Sequence, residues 1–273
     1  MRIFATIRTF IASYFIPGWG FWIVGKSKLA LITITAFVGL VLIFSWSRLV
    51  LNPIAYIALI GLIVSLLFLS AVYSAIIEFR RNEETSPRRN WKSAFIFALI
   101  SGVTLFLLMS DRSATLGYDV FRLPASSMAP TLVQGDHILV DSWHYSESEI
   151  IVGDIVVFEV PGSGGVMYVK RVVGLPGDVL SFEDNVLTRN GMPVNEPYAY
   201  YSGGPARSMS SFQNALVPDG EYFVMGDNRN SSRDSRYIGT IPSSGFAGRA
   251  VHLWYSRDEE SGIRWQRFPA GID

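Results

Sequence analysis

The sequence predicts N-terminal transmembrane helices followed by an all-β domain of coiled, partly barrel-like antiparallel sheets. Apolar residues make up 49% of the chain and charged residues only 17%, whereas a soluble protein usually carries about 25% charged residues. The shortage of charge is confined to residues 1–110. Residues 111–273 have the composition of a soluble domain, with short β-rich runs between glycines and prolines. The chain is therefore predicted to have a membrane anchor at 1–110 and a β-rich domain at 111–273.

The overall composition excludes several kinds of protein. The 23 basic residues balance the 23 acidic ones, so nothing in the net charge favours nucleic acid as a partner. The absence of cysteine excludes disulfides, thiolate catalysis and zinc–cysteine or iron–sulfur sites. The three histidines, His137, His144 and His252, do not have a metal-binding spacing such as H-E-x-x-H. No metal and no cofactor are expected.

Three uncharged stretches are predicted to span a membrane, at about 29–47, 53–77 and 93–109. Each is close to the roughly 20 residues that a bilayer core requires. The alternative, that they are buried helices of a soluble protein, is disfavoured because no soluble part of the chain is long enough to cover three of them.

The basic residues next to these stretches predict their orientation, since cytoplasmic loops are enriched in lysine and arginine. Residues 1–28 and the link 78–92 are rich in basic residues, and the link between the first two spans has a single one. The residues concerned are Arg2, Arg8, Lys26 and Lys28; Arg80, Arg81, Arg88, Arg89 and Lys92; and Arg48. The first two segments are therefore expected in the cytoplasm, and residues 111–273 on the extracytoplasmic face.

The segment 9–25 is also uncharged, but Pro17, Gly18 and Gly20 interrupt it. It is interpreted as interfacial or re-entrant, with its tryptophans at the membrane interface. Two alternatives stay open: a further span, which would move only the N-terminus to the other side, and a cleaved signal peptide, which lacks a convincing cleavage site. Residues 20–27 also match the phosphate-loop pattern G-x4-G-K-S, but their interior is bulky and no βαβ pattern surrounds them.

Strands are predicted in the second half of the chain at 137–140, 154–160, 166–173, 221–225 and 250–255. Asn190-Gly191 separates two further runs, 186–189 and 192–194. This dipeptide between apolar runs is a strong hairpin signal.

The residues with the clearest chemical potential are a serine and a lysine. Ser127 follows the run 121–124 in a turn of small residues, and Lys170 lies between Val169 and Val172 in a predicted strand. Burial lowers the pKa of a lysine because the charged form loses its hydration. A neutral lysine can take the proton of a serine hydroxyl. The polar loop 226–239 is suited to hold such a site together.

Four blocks in this half resemble the conserved boxes of bacterial signal peptidase I. They are S-M-x-P-T from Ser127, G-D-I-V-V-F from Gly153, Y-V-K-R-V-V-G-L-P-G-D from Tyr168, and G-D-N-R-x-x-S-x-D-S-R from Gly226. Their order and spacing also match, and the resemblance covers most of residues 118–256.

The resemblance implies a serine endopeptidase that removes N-terminal signal peptides from preproteins after an A-x-A-like motif. Carried over position by position, it makes Ser127 the nucleophile and Lys170 the general base. It also makes Ser232 the group that orients the lysine, and Asp234 and Arg236 an ion pair that braces the site. The Ser127 N–H would stabilise the oxyanion. A second donor is often a serine two residues before the nucleophile, where this chain has Ala125, so that donor has no assignment.

The resemblance also implies a substrate surface, partners and a location. Signal peptides of preproteins and the lipid bilayer are the expected partners, and a monomer in the bacterial inner (cell) membrane is the expected form. Shallow apolar pockets for small side chains would be lined by Phe121, Leu123, Pro124, Met128, Leu132, Tyr168 and Val169.

Three alternatives stay open at this point. A Ser–His–Asp triad is compatible with the sequence because triad members occur in any chain order. A Ser–Lys peptidase of a pilus or conjugation system would have the same blocks. A non-catalytic membrane scaffold of the same fold is favoured only by Ala125.

Overall fold

The computed structural model describes residues 2–80, 91–160, 162–202, 211–267 and 270–272. The chain divides into two compact units, Met1–Gly117 and Tyr118–Asp273. The predicted boundary after residue 110 precedes a short helix, Arg112–Leu116, that belongs to the first unit. Most of the basic link 78–92 lies outside the described residues.

The first unit is helical. Three of its helices are long and apolar enough to cross a membrane, over Ser27–Trp46, Pro53–Phe79 and Lys92–Ser110, close to the predicted stretches. Asn52 begins the second of them, because its side-chain oxygen accepts hydrogen bonds from the N–H groups of Ile54 and Ala55. The helices of this unit are α1 (Arg2–Phe15), α2 (Trp19–Ile23), α3 (Ser27–Trp46), α4 (Pro53–Phe79), α5 (Trp91–Ser110) and α6 (Arg112–Leu116).

The segment 9–25 forms the end of α1 and the short helix α2, separated at Gly18, which has a φ of 82°. Gly20 lies inside α2, where a Cβ atom would come within 2.1 Å of Ser13 Oγ and 2.6 Å of Ser74 Oγ. Glycine is therefore required here for close helix packing. A helix, not a strand, precedes the G-x4-G-K-S pattern, so it lacks the framework of a phosphate loop. The interfacial placement of 9–25 stays a prediction.

The second unit consists mainly of antiparallel sheet, which confirms the predicted β domain. It also contains two one-turn α-helices, α7 (His144–Glu147) and α8 (Ser235–Ile238), and three short 3-10 helices at Arg229–Ser231, Ser243–Gly245 and Trp265–Arg267. Its strands are β1 (Tyr118–Arg122), β2 (Asp136–Asp141), β3 (Ile155–Glu159), β4 (Met167–Gly174), β5 (Val179–Glu183), β6 (Val186–Arg189), β7 (Met192–Pro193), β8 (Phe212–Leu216), β9 (Glu221–Met225), β10 (Ile241–Pro242), β11 (Phe246–Asp258), β12 (Gly262–Ile263) and β13 (Ala270–Gly271).

Within the described residues these strands form two sheets. The larger follows the order β1-β2-β11-β3-β4-β9-β10, with β12 and β13 also paired to β11, and the smaller follows β7-β6-β5-β8. The larger sheet does not close on itself along this path, so a partly barrel-like form stays a prediction. The predicted Asn190-Gly191 hairpin is confirmed: both residues have positive φ, and β6 pairs with β7.

The core of the larger sheet continues under the loop that joins β1 to β2. Leu123, Met128 and Leu132 of this loop pack with Ile138 of β2 and Leu253 of β11. The apolar side chains of the loop thus anchor it to the sheet, which fixes the position of the polar residues between them.

Candidate active site

Ser127 lies on this anchored loop. At the base of the loop, the N–H of Leu123 donates to the Asp136 carbonyl at 2.8 Å, and the N–H of Gly135 donates to the Leu123 carbonyl at 2.9 Å. Met128, the next residue after the serine, is fully buried. Ser127 itself is half-buried, so its hydroxyl group is held by a rigid support and can still be reached.

Lys170 lies in the middle of β4, opposite Val156 of β3. Its Nζ donates to Ser127 Oγ at 2.7 Å and to the Val169 carbonyl at 2.9 Å. The side chain is only 3% exposed, and this burial lowers the pKa of Lys170 to about 8, although the nearby carboxylates of Asp234 and Asp227 act in the opposite direction. With this pKa, about a tenth of the amine is neutral at pH 7 and about half at pH 8, next to the serine hydroxyl.

Ser232 lies near Ser127 without a hydrogen bond to Lys170. Its Oγ is buried and has no hydrogen-bond partner among the described residues, so the expected hydrogen bond to Lys170 is not present in this structure. A Cβ atom on Gly226 would lie 2.2 Å from Ser232 Oγ and 2.5 Å from the Ser127 carbonyl oxygen. Ser232 and the loop that carries Ser127 therefore meet across a glycine that leaves no room for a side chain.

Asp234 and Arg236 form a buried ion pair with two hydrogen bonds, of 2.8 and 2.9 Å. Asp234 also accepts the N–H of Gly226 at 2.9 Å, and Arg236 donates to the Arg229 carbonyl at 2.8 Å. The pair thus fixes both ends of the segment 226–229, which packs against Ser127.

A second buried ion pair, between Arg171 and Asp227, is not predicted by the sequence analysis, which treats Asp227 only as part of the polar loop 226–239. Two hydrogen bonds of 2.9 Å join the side chains, and neither side chain is more than 3% exposed. Thr131, on the loop that carries Ser127, donates to Asp227 at 2.6 Å. The signal that could have revealed this pair is an arginine inside an apolar strand, because a buried charge needs a partner.

The backbone N–H of Ser127 has no hydrogen-bond acceptor among the described residues of this structure. The hydroxyl oxygen of Ser126 instead accepts the N–H of Gln134 at 3.4 Å. Ala125 is exposed and has no side-chain donor. The Ser127 N–H is thus available to a developing oxyanion on an atom bonded to Ser127 Oγ.

The residues expected to line substrate pockets separate into two groups. Leu123, Met128 and Leu132 are 4%, 0% and 0% exposed and belong to the core, so they lie beneath the surface and do not line it in this structure. The other four, Phe121, Pro124, Tyr168 and Val169, are half-buried or exposed. Phe121 and Val169 pack against the same core, whereas Tyr168 packs against the separate cluster that contains Phe158.

The structure does not favour a histidine-based site. His137 contacts the Tyr255 ring, and His144 Nδ1 lies 3.5 Å from Asp141. In the described part of the chain, the hydroxyl group of Ser127 has Lys170 as its hydrogen-bond partner, and no histidine bonds to it. No group of three or more potential metal ligands was found in the same ranges.

Comparison with known proteins agrees with the resemblance that the four sequence blocks show. The model of the family described as "Signal peptidase, peptidase S26" matches residues 88–255. A probable signal peptidase I-1 of Synechocystis is 36% identical over an alignment of 140 residues, and the match covers 49% of this chain and 69% of that protein. The signal peptidase I of Bacillus licheniformis is 33% identical over 183 residues, or 65% of this chain and 96% of that protein. A solved signal peptidase I of Enterococcus faecalis is 31% identical and covers 37% of this chain and 97% of its own, with a TM-score of 0.32.

Proposed function

Because this chain belongs to the signal peptidase family, peptidase S26, we propose that it removes N-terminal signal peptides from secreted preproteins, after small residues in an A-x-A-like pattern, with Ser127 and Lys170 as a catalytic dyad. The observation that carries the proposal is the 2.7 Å contact between Lys170 Nζ and Ser127 Oγ, together with a lysine pKa of about 8. A buried lysine with a lowered pKa is a suitable general base.

The acylation step uses the lysine twice. Neutral Lys170 takes the proton from Ser127 Oγ as this oxygen attacks the carbonyl carbon of the scissile peptide bond. The carbonyl oxygen becomes an oxyanion, which the Ser127 N–H stabilises. The C–N bond then breaks, Lys170 returns its proton to the leaving amine, and the signal peptide remains as an ester on Ser127.

Deacylation repeats the sequence with water. Lys170 takes a proton from a water molecule whose oxygen attacks the ester carbonyl. The bond to Ser127 Oγ breaks, the serine recovers a proton from Lys170, and the signal peptide leaves with a new carboxylate. No external cofactor is needed for either step.

The substrate is proposed to bind as an extended strand next to the segment 121–124. Main-chain hydrogen bonds would supply affinity, and small pockets beside Phe121, Tyr168 and Val169 would favour small side chains. The proposed location is the bacterial inner membrane, with several spans and the second unit on the extracytoplasmic face. Three helices long and apolar enough to cross a membrane support this location.

The test is preprotein cleavage by the purified full chain in detergent. Ser127→Ala and Lys170→Met should each abolish product formation while leaving thermal unfolding cooperative. Ser243→Ala, on an exposed serine, and Lys92→Met, at the start of α5, serve as matched controls and should cleave at the wild-type rate. Wild-type cleavage by either dyad variant would refute the dyad. An inactive wild type would instead favour the non-catalytic scaffold.

A further inference from the structure

The segment 196–202, which follows β7, is held against the polar loop behind the nucleophile. The N–H of Tyr200 donates to the Asp227 carbonyl at 2.7 Å, and the N–H of Arg229 donates to the Tyr200 carbonyl at 2.8 Å. Arg229 also forms a two-point ion pair with Glu196, with both distances at 2.8 Å. This segment lies outside the four blocks that resemble signal peptidase I, yet it fixes the residues on either side of Asn228.

Asn228 is the point at which this loop meets the nucleophile. Its backbone N–H donates to the Ser127 carbonyl at 3.1 Å, and its side-chain Nδ2 donates to the Ser126 carbonyl at 3.3 Å. One residue thus holds the carbonyl groups on both sides of the Ser127 Cα atom. Asn228 is only 5% exposed, so water is poorly placed to substitute for it.

Ser202 determines which way the Asn228 carboxamide faces. The hydroxyl group of Ser202 donates to Asn228 Oδ1 at 3.0 Å. With its oxygen engaged there, the carboxamide directs its NH2 group towards the Ser126 carbonyl. Asn230 Nδ2 donates to the Ser202 carbonyl at 3.0 Å, which holds Ser202 in place in turn.

We propose that Asn228 and Ser202 are positioning residues that act in series to orient the peptide group between Ser126 and Ser127, and thereby the Ser127 N–H that stabilises the oxyanion. The peptide group is planar and trans, so its C=O and N–H point in opposite directions. A hydrogen bond that fixes the Ser126 C=O therefore also fixes the direction of the Ser127 N–H. Neither side chain is hydrogen-bonded to Lys170.

The kinetic consequence follows from this geometry. A misdirected oxyanion donor weakens binding of the transition state but not of the substrate, so kcat falls and KM stays the same. Loss of an oxyanion donor costs about 100- to 1,000-fold in kcat; because Ser126 still accepts the N–H of Ala129, we expect a smaller loss here, of about 10- to 100-fold. The pKa of Lys170 should not change.

The test, which rests on the proposed function, compares Ser202→Ala, Ser202→Thr, Asn228→Ala and the double alanine variant with the wild type in preprotein cleavage. Both single alanine variants should lower kcat at constant KM and leave the pH profile unshifted. Ser202→Thr retains the hydroxyl group and should restore activity. Since Ser202 acts through Asn228, the double variant should be no slower than Asn228→Ala. Ser243→Ala, on an exposed serine outside the site, is the control and should leave kcat unchanged.

Any of three results would overturn the proposal: effects of the two single variants that multiply in the double variant, a rise in KM as the main change, or a wild-type kcat in Asn228→Ala.

Hydrogen–deuterium exchange of the full chain provides a readout that does not depend on activity. Peptides that cover 124–132 should exchange faster in Ser202→Ala and Asn228→Ala but not in Ser243→Ala. Unchanged exchange would refute the positioning role. If the wild type did not cleave preproteins and these exchange changes still occurred, only the proposed function would fail.

Discussion

At the scale of single residues, the chemistry depends on where Lys170 lies and on what surrounds it. Desolvation lowers its pKa, while the carboxylates of Asp234 and Asp227 favour its charged form and limit that decrease. Both carboxylates are hydrogen-bonded to arginines, Arg236 and Arg171 respectively. Desolvation is the larger effect, so the pKa of Lys170 falls to about 8.

The lysine pKa predicts a pH dependence for cleavage. The active form is the neutral amine, so activity is lost as the pH falls below the pKa of Lys170 and is fully present above it. We expect kcat/KM to rise about tenfold per pH unit up to a pH of about 8 and to level off above. Lys170→Arg should be inactive throughout, because arginine does not deprotonate in this range. The measurement is initial cleavage rates from pH 6 to 10, and a flat profile would contradict a titrating lysine.

The burial of Lys170 could be predicted from the sequence, but the hydrogen-bond and ion-pair partners of Ser232 and Asp227 could not. Val169 and Val172 indicated an apolar strand, and the lysine is buried in that strand. The contacts of Ser232 could not be predicted because a hydroxyl rotamer depends on neighbours that only the folded chain supplies. Asp227 was missed for a related reason: its partner Arg171 is 56 residues away, and a loop carboxylate ordinarily indicates no more than a turn.

At the scale of elements, the buried pair of Arg171 and Asp227 joins three parts of the site. Arg171 belongs to β4, next to Lys170, and also donates to the Gly153 carbonyl at 2.9 Å. Asp227 belongs to the polar loop 226–239. Thr131 connects the loop that carries Ser127 to the same carboxylate. The Tyr198 ring lies 4.1 Å from the Arg171 guanidinium. Loss of either charge would leave the other unpaired in a site that excludes water.

We therefore expect Arg171→Met and Asp227→Asn each to destabilise the protein by about 3–5 kcal/mol, the usual cost of leaving one buried charge unpaired. The double variant should recover part of this loss, because it leaves no uncompensated charge. The exposed pair of Arg122 and Glu259 is the matched control, and Arg122→Met should change stability by less than about 1 kcal/mol. Chemical unfolding of the full chain in detergent measures these differences. Equal effects for the two pairs would contradict the argument.

Strands were predictable where the local sequence and the fold agree. β3 consists largely of β-branched and aromatic residues, half of the residues of β4 are of these types, and most residues of both strands are buried; both were predicted. β8 was not predicted, because it contains Gln213, Asn214 and Ala215, types that are not typical of strands. Its extended form depends on pairing with β5, so it is a consequence of tertiary structure.

At the scale of the whole molecule, the change in composition near residue 110 predicted both parts of the chain. Helices α3, α4 and α5 coincide closely with the three uncharged stretches, because a long apolar run has few stable alternatives to a helix in a membrane. The exact boundary was harder to predict. Asp111 caps α6 by accepting the N–H of Ala114, which extends the helical unit to Gly117.

The distribution of basic residues predicts that the second unit lies outside the cytoplasm, and the absence of cysteine allows a direct test. A single cysteine introduced as Ser148→Cys, at an exposed position of the second unit, should react with a membrane-impermeant maleimide in intact spheroplasts. A cysteine introduced as Glu83→Cys, in the basic link 78–92, should react only after the membrane is permeabilised. The unmodified chain supplies a background without any thiol, and both variants should retain preprotein cleavage. The reverse labelling pattern would place the dyad in the cytoplasm, where the processing of exported preproteins could not take place after translocation.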